Sequence, residues 1–138
     1  MPGKITTKQR LQISRQPMPE QDASARAANF TEVNLGFTEQ LALLEADRCL
    51  QCKDPRCVKG CPVGVQIPKF LDLLARGDIA AAAQSLMCDN ALPAITGRVC
   101  PQETQCEIEC RNFDLDRPAL TRHRILLCNR TRRGQSLK

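Results

Sequence analysis

The sequence predicts an all-α domain in which short helices are separated by irregular, cysteine-bearing loops. Three observations point there. No stretch shows the period-two alternation of a strand. Capping residues, first-turn prolines and a terminating glycine recur along the middle of the chain. Finally, nine cysteines accompany a scarcity of large aromatics: Trp and Tyr are absent, and only Phe30, Phe37, Phe70 and Phe113 remain. Aromatic side chains supply much of a core's buried area, so the core is thin and a chain of 138 residues needs a staple.

The elements follow in order. Residues 1–37, with Pro17, Pro19 and many polar side chains, read as an extended arm with at most one short helix. Thr38 can cap a helix through Arg48, with Leu41, Leu44 and Ala46 as a partial apolar face. From Cys49 to Pro62, cysteine and proline predict a loop wrapped round a metal. Pro68 suits the first turn of a helix running to Arg76, whose buried side is Phe70, Leu71, Leu73 and Leu74. Gly77 can end that helix and Asp78 can cap the next, from Ile79 to about Cys88, making a helical hairpin. Residues 90–99, with Pro93 and Gly97, read as a loop. Pro101 opens a short helix carrying Cys106 and Cys110, and Pro118 opens a last one through about Arg130. The domain proper is therefore 38–117, followed by a basic helix or tail at 118–138.

Compartment and charge narrow the staple. The first ten residues hold no apolar run of the secretory kind, and no stretch approaches transmembrane length, which predicts a cytoplasmic chain with no membrane association. Thiols stay reduced in that setting, and nine is an odd count, so metal is favoured over disulfides. The net charge of +5 is carried by the end of the chain. From Arg111 onward eight Lys and Arg face Asp114 and Asp116, giving +6, so the rest sums to −1. Arg122, Arg124, Arg130, Arg132 and Arg133 could contact phosphates, but no aromatic stacking partners accompany them. No nucleic-acid partner is expected, and His123 is a lone imidazole in a basic stretch.

The cysteines carry the chemistry. Cys49, Cys52, Cys57 and Cys61 form C-x2-C-x4-C-x3-C followed by Pro62; Cys100, Cys106 and Cys110 form C-x5-C-x3-C. Cuboidal iron–sulfur clusters need soft ligands converging from several directions, and a C-x2-C turn brings two to one cluster. In a helix, Cys106 and Cys110 at i and i+4 leave from one face. A run ending in Cys-Pro sends its last cysteine to the other cluster. That logic joins Cys61 to Cys100, Cys106 and Cys110 and leaves Cys49, Cys52 and Cys57 one ligand short. Structural zinc is the competing reading, but it favours paired knuckles, and one C-x2-C with a single histidine cannot build two such sites. Cys88 reads as core on the buried side of its helix. Cys128, after Ile125-Leu126-Leu127, reads as core before ligand.

Several of these stretches resemble one family: Cys49-Leu-Gln-Cys52, Pro55-x-Cys57, Gly60-Cys61-Pro62-Val63, Ile67-Pro68-x-Phe70 and Gly97-Arg98-Val99-Cys100-Pro101-Gln102-Glu103. Upstream, Met18-Pro-Glu-Gln-Asp22, Asn29-Phe30 and Glu32-Val33-x-x-Gly36 belong to the same likeness. They are similar to the N-terminal iron–sulfur domain of the NADPH-dependent glutamate synthase small subunit, and to the corresponding domain of dihydropyrimidine dehydrogenase. The resemblance spans roughly 18–110. It implies a helical ferredoxin-like domain with two 4Fe–4S clusters, placed ahead of FAD- and NADPH-binding domains and close to an inter-subunit contact. In that family the clusters pass electrons between the FAD and a second redox centre, which in glutamate synthase is the FMN of the large subunit. It assigns Cys49, Cys52 and Cys57 to one cluster and Cys61, Cys100, Cys106 and Cys110 to the other.

Two departures qualify the likeness. No G-x-G-x-x-G occurs, so FAD and NADPH are expected only on a partner or a missing domain. The family also carries a Glu or Gln in a helix beyond its last cysteine as a fourth ligand of the first cluster. Here no Glu or Gln lies between Arg111 and Gln135. Cys128, Glu103 or a capping water or exogenous thiol are the alternatives at that position. The function expected is an electron-transfer module of an oxidoreductase, not a complete enzyme, working with a flavoprotein. The alternative is an interaction domain folded by iron–sulfur or zinc with no redox role.

Overall fold

Three helices form the frame of the computed structural model, which describes residues 5–112. The first two helices, α1 (Thr7–Gln12) and α2 (Ala23–Ala27), belong to the N-terminal arm. They are followed by α3 (Glu39–Asp47), α4 (Arg56–Lys59), α5 (Ile67–Ala75), α6 (Ile79–Asp89) and α7 (Pro93–Val99), and then by one 3₁₀ turn, Gln102–Thr104. Helix α5 packs against both α6 and α3. Among the described residues there is no strand, only an isolated bridge between Glu20 and Asn34. The fold is all-α.

The frame follows from its caps. The Thr38 hydroxyl accepts the Leu41 N–H and opens α3. Pro68 occupies the first turn of α5. That helix ends where Gly77 adopts a positive φ of 79°. There the Gly77 and Asp78 N–H groups donate to the Leu74 and Leu73 carbonyls at 2.8 and 3.0 Å, an arrangement a Cβ would strain. The Asp78 carboxylate then caps α6 through the Ala81 N–H. Phe70, Leu71 and Leu74 of α5 interlock with Ile79, Ala82, Ala83 and Leu86 of α6 and with Ala46 of α3. Burying a large apolar side chain contributes about 1.5–3 kcal/mol. Cys61 and Cys106 lie in this same cluster, so two of the motif thiols are also core residues.

Several expectations change. The arm holds two short helices, not one at most, because Thr6 and Gln9 form a reciprocal capping box and Asp22 accepts from the Ser24 and Ala25 N–H groups. The cysteine loop contains the four-residue α4. Residues 93–99 are helical despite Gly97, since Pro93 sits in the first turn and the Asn90 amide donates to the Thr96 hydroxyl at 2.7 Å. In α3 the buried residues are Ala42, Glu45 and Ala46, while Leu44 is exposed. Cys88 is exposed, not core. At about 100° per residue it falls on the face of α6 opposite Ile79, Ala82, Ala83 and Leu86. The expected helix at 118–130, with His123, the arginine run and Cys128, lies outside the described residues.

Charged groups tie the arm to the frame. Glu45 and Arg48 form an ion pair in which each residue is 1% exposed. Glu45 also accepts the Gln16 N–H at 3.0 Å, and Arg48 donates to the Ile13 carbonyl at 3.2 Å. Arg10 donates to the Asp47 and Cys49 carbonyls at 2.8 and 2.9 Å. The arm is thereby fastened across the point where α3 hands over to the first motif cysteine.

Candidate metal centre

The C-x2-C segment begins at the C-terminus of α3. Gln51, between Cys49 and Cys52, takes a left-handed φ of 52°, an uncommon conformation for a residue with a side chain. It lets the Gln51 backbone N–H donate to the Cys49 sulfur. Pro55 opens α4, which carries Cys57, and the chain leaves α4 through Gly60 to Cys61. At Gly60 a Cβ would stand 3.0 Å from the Gln105 carbonyl oxygen and 2.8 Å from Glu109 Cγ. Glycine is therefore what allows the first cysteine run to lie against the 105–109 turn of the second.

That turn overturns the expected helix over Cys106 and Cys110. After the 3₁₀ turn the backbone continues in successive tight turns, with the Glu107 N–H donating to the Gln102 carbonyl and the Cys110 N–H to the Glu107 carbonyl, both at 2.9 Å. The i and i+4 side chains no longer leave from one helical face. Asn112 holds the end of the segment by donating to the Arg48 carbonyl at 2.8 Å.

The motif thiols line two cavities. Cys49, Cys52, Cys57 and Cys110 line one cavity, closed by apolar groups including Leu50, Ile67 and Leu71. Cys61 and Cys100 line a second, more open cavity bounded by Val63, Val99 and the Asn90 and Gln105 side chains. Cys106 stands in the wall of both. The Cys110 thiol thus lines the first cavity beside Cys49, Cys52 and Cys57. Glu103 is exposed on the 3₁₀ turn and lines neither cavity, and Cys128 lies outside the described residues.

Burial, followed by the neighbouring thiols with Cys110 first among them, pushes the Cys57 thiol up to about 12. Burial also pushes the Cys49 thiol up to about 11, against the opposing Gln51 N–H. Without a cation these thiols hold their protons at neutral pH, and metal binding must displace them. Among the described residues no three His, Cys, Asp or Glu side chains converge as they would on a single metal ion. The sulfurs instead surround two cavities. Soft sulfur donors arrayed round an apolar cavity, with a backbone N–H aimed at one sulfur, are the donor chemistry a polynuclear iron–sulfur cluster requires. Beside the first set, the buried Gln51 Nε2 has no hydrogen-bond partner among the described residues. Sequence reasoning missed it because nothing in the C-x2-C spacing distinguishes a buried Gln from an exposed one.

Comparison with known proteins names the same class of cluster. The family model described as dihydropyrimidine dehydrogenase domain II, 4Fe–4S cluster, matches residues 26–122. The glutamate synthase [NADPH] small chains of Halomonas elongata and Escherichia coli K12 are each 39% identical over 100 residues, covering 72% of this chain and 21% of theirs. The NAD-dependent dihydropyrimidine dehydrogenase subunit PreT of Escherichia coli K12 is 37% identical over 87 residues, 63% of this chain and 21% of its own. The chain spans about a fifth of the length of these relatives.

Proposed function

The chain belongs to the dihydropyrimidine dehydrogenase domain II family of 4Fe–4S cluster domains, and from that membership we propose that it is an electron-transfer module carrying two such clusters. Cys49, Cys52, Cys57 and Cys110 would hold one. Cys61, Cys100 and Cys106 would hold the other together with a donor from outside that set. When bound, such clusters accept and release single electrons.

The residues of the chain have separable tasks. The thiolates supply soft donors, Leu50, Ile67 and Leu71 keep water from the first cavity, and the Gln51 N–H steadies the Cys49 sulfur. Such hydrogen bonds and the degree of burial set a cluster's potential. Cys106 in both walls favours transfer between neighbouring centres. The electrons would come from, or pass to, a flavoprotein domain or subunit bearing FAD and NADPH, with a second redox centre such as that of a glutamate synthase large subunit on the far side. Among the described residues no helix is long and apolar enough to cross a membrane.

The observation that carries this reading is the sorting of seven motif thiols into two adjoining cavities. The test is anaerobic visible spectroscopy of the purified chain. Broad absorbance that bleaches with dithionite and returns on reoxidation is expected; a colourless or unreactive protein would leave only the structural-metal role.

A further inference from the structure

Beyond the cysteines, the Gln105 side chain touches a motif sulfur. Gln105 stands in the wall of the second cavity, and its side-chain amide lies 3.3 Å from the Cys100 sulfur, which donates its S–H to Oε1 in the thiol form. The backbone at this point is held firmly: the Gln105 N–H donates to the Gln102 carbonyl at 3.1 Å, and the Gln105 carbonyl oxygen packs against Gly60. The other polar groups in the wall are engaged locally. Asn90 accepts the Leu92 N–H at 3.0 Å and donates to Thr96, whose hydroxyl donates to the Leu92 carbonyl at 3.1 Å. Gln102 also lines the cavity, and its backbone N–H donates to the Cys100 carbonyl at 2.9 Å.

Metal binding changes what this contact can be. A ligating cysteine is a thiolate, which accepts hydrogen bonds and donates none. The amide oxygen then faces a lone pair, and a half-turn about the Cγ–Cδ bond presents Nε2–H to the sulfur instead. An amide standing 3.3 Å from the Cys100 sulfur is placed to donate to that sulfur. On the premise of the proposed two-cluster function, we infer that Gln105 donates its side-chain N–H to the Cys100 thiolate and raises the reduction potential of the second cluster. It is a tuning residue and not a ligand. A hydrogen bond to a ligating sulfur stabilises the more negative, reduced state, so its presence moves the potential upward.

The experiment is an anaerobic redox titration of wild type, Gln105→Leu and Gln105→Glu, followed by electron paramagnetic resonance. Iron content is measured alongside, and the signal lost in Cys100→Ser identifies the second site. Gln105→Leu removes the donor while keeping the bulk; the second site's midpoint should move to a more negative potential, with the first site's midpoint and the iron content unchanged. Gln105→Glu, ionised and unable to donate, should shift it at least as far. Unchanged midpoints in both variants would overturn the inference. So would loss of second-site iron in Gln105→Leu but not in Gln105→Glu, which would make the side chain a ligand. A wild-type chain lacking iron would overturn the two-cluster function and this inference with it, whereas an unchanged midpoint overturns the inference alone.

Discussion

Glu45→Ala is expected to be among the most damaging single substitutions in the domain. Its carboxylate pairs with Arg48 where both residues are 1% exposed, and it accepts the Gln16 N–H from the arm. Truncation leaves the Arg48 guanidinium buried without that counter-charge, and removing one partner of a buried pair costs about 3–5 kcal/mol. The lost bond to Gln16 adds about 1 kcal/mol. Against a typical domain stability of about 5–15 kcal/mol, that is a large share. The effect should also reach the metal centre, since Arg48 immediately precedes Cys49 and its carbonyl accepts from Asn112. Replacing both charges, Glu45→Leu with Arg48→Met, should recover much of the loss, because an apolar pair of similar volume carries no desolvation cost. Recovery stays incomplete, since Arg48 also donates to the Ile13 carbonyl. Urea titration of the metal-loaded chain, anaerobic and followed by far-ultraviolet circular dichroism, measures both. A loss below about 1 kcal/mol for Glu45→Ala, the scale of an exposed pair, would refute the reasoning.

The partition of thiols predicts that Cys110→Ser and Cys100→Ser abolish different electron paramagnetic resonance signals; loss of the same signal in both would mean the sets are drawn wrongly. Gly60→Ala should cost about 1–3 kcal/mol, the range for overpacking, and lower iron occupancy at both sites, because its Cβ meets the Gln105 carbonyl and Glu109; wild-type iron content would contradict the close approach. The Cys49 and Cys57 thiols, pushed up to about 11 and about 12, lie far above pH 8 and are protonated there. Iron uptake in weakly buffered solution at pH 8 should therefore release acid, and uptake without release would contradict buried, protonated thiols. Arg98→Ala removes a paired contact to Glu32 at 2.6 and 2.9 Å, but both groups are solvent-accessible. It should cost no more than about 1 kcal/mol in the same urea assay.

The parts of the fold announced by local chemistry were legible in the sequence: the Thr38 and Asp78 caps, Pro68 in a first turn, Gly77 at a helix end, and the grouping of cysteines into two runs. What escaped depended on tertiary partners. Helix α7 was masked by Pro93 and Gly97, and its stabiliser, the Asn90–Thr96 contact, spans six residues with no periodic signature. The buried Glu45–Arg48 pair looks like any surface charge pair until the arm folds over it. Cys88 follows an apolar Leu-Met pair, yet helical phase turns it outward. The setting of Cys110 beside Cys49, Cys52 and Cys57 depends on residues 106–110 forming successive turns, and C-x3-C spacing fits helix and turns alike.

The central claim is that seven thiols in two adjoining cavities hold two clusters, and the most direct test is the iron, acid-labile sulfide and zinc content of the chain after anaerobic purification. Two 4Fe–4S clusters predict about eight irons and about eight sulfides per chain, with negligible zinc. About four of each would mean that one cavity does not assemble its cluster, and stoichiometric zinc without sulfide would contradict the account.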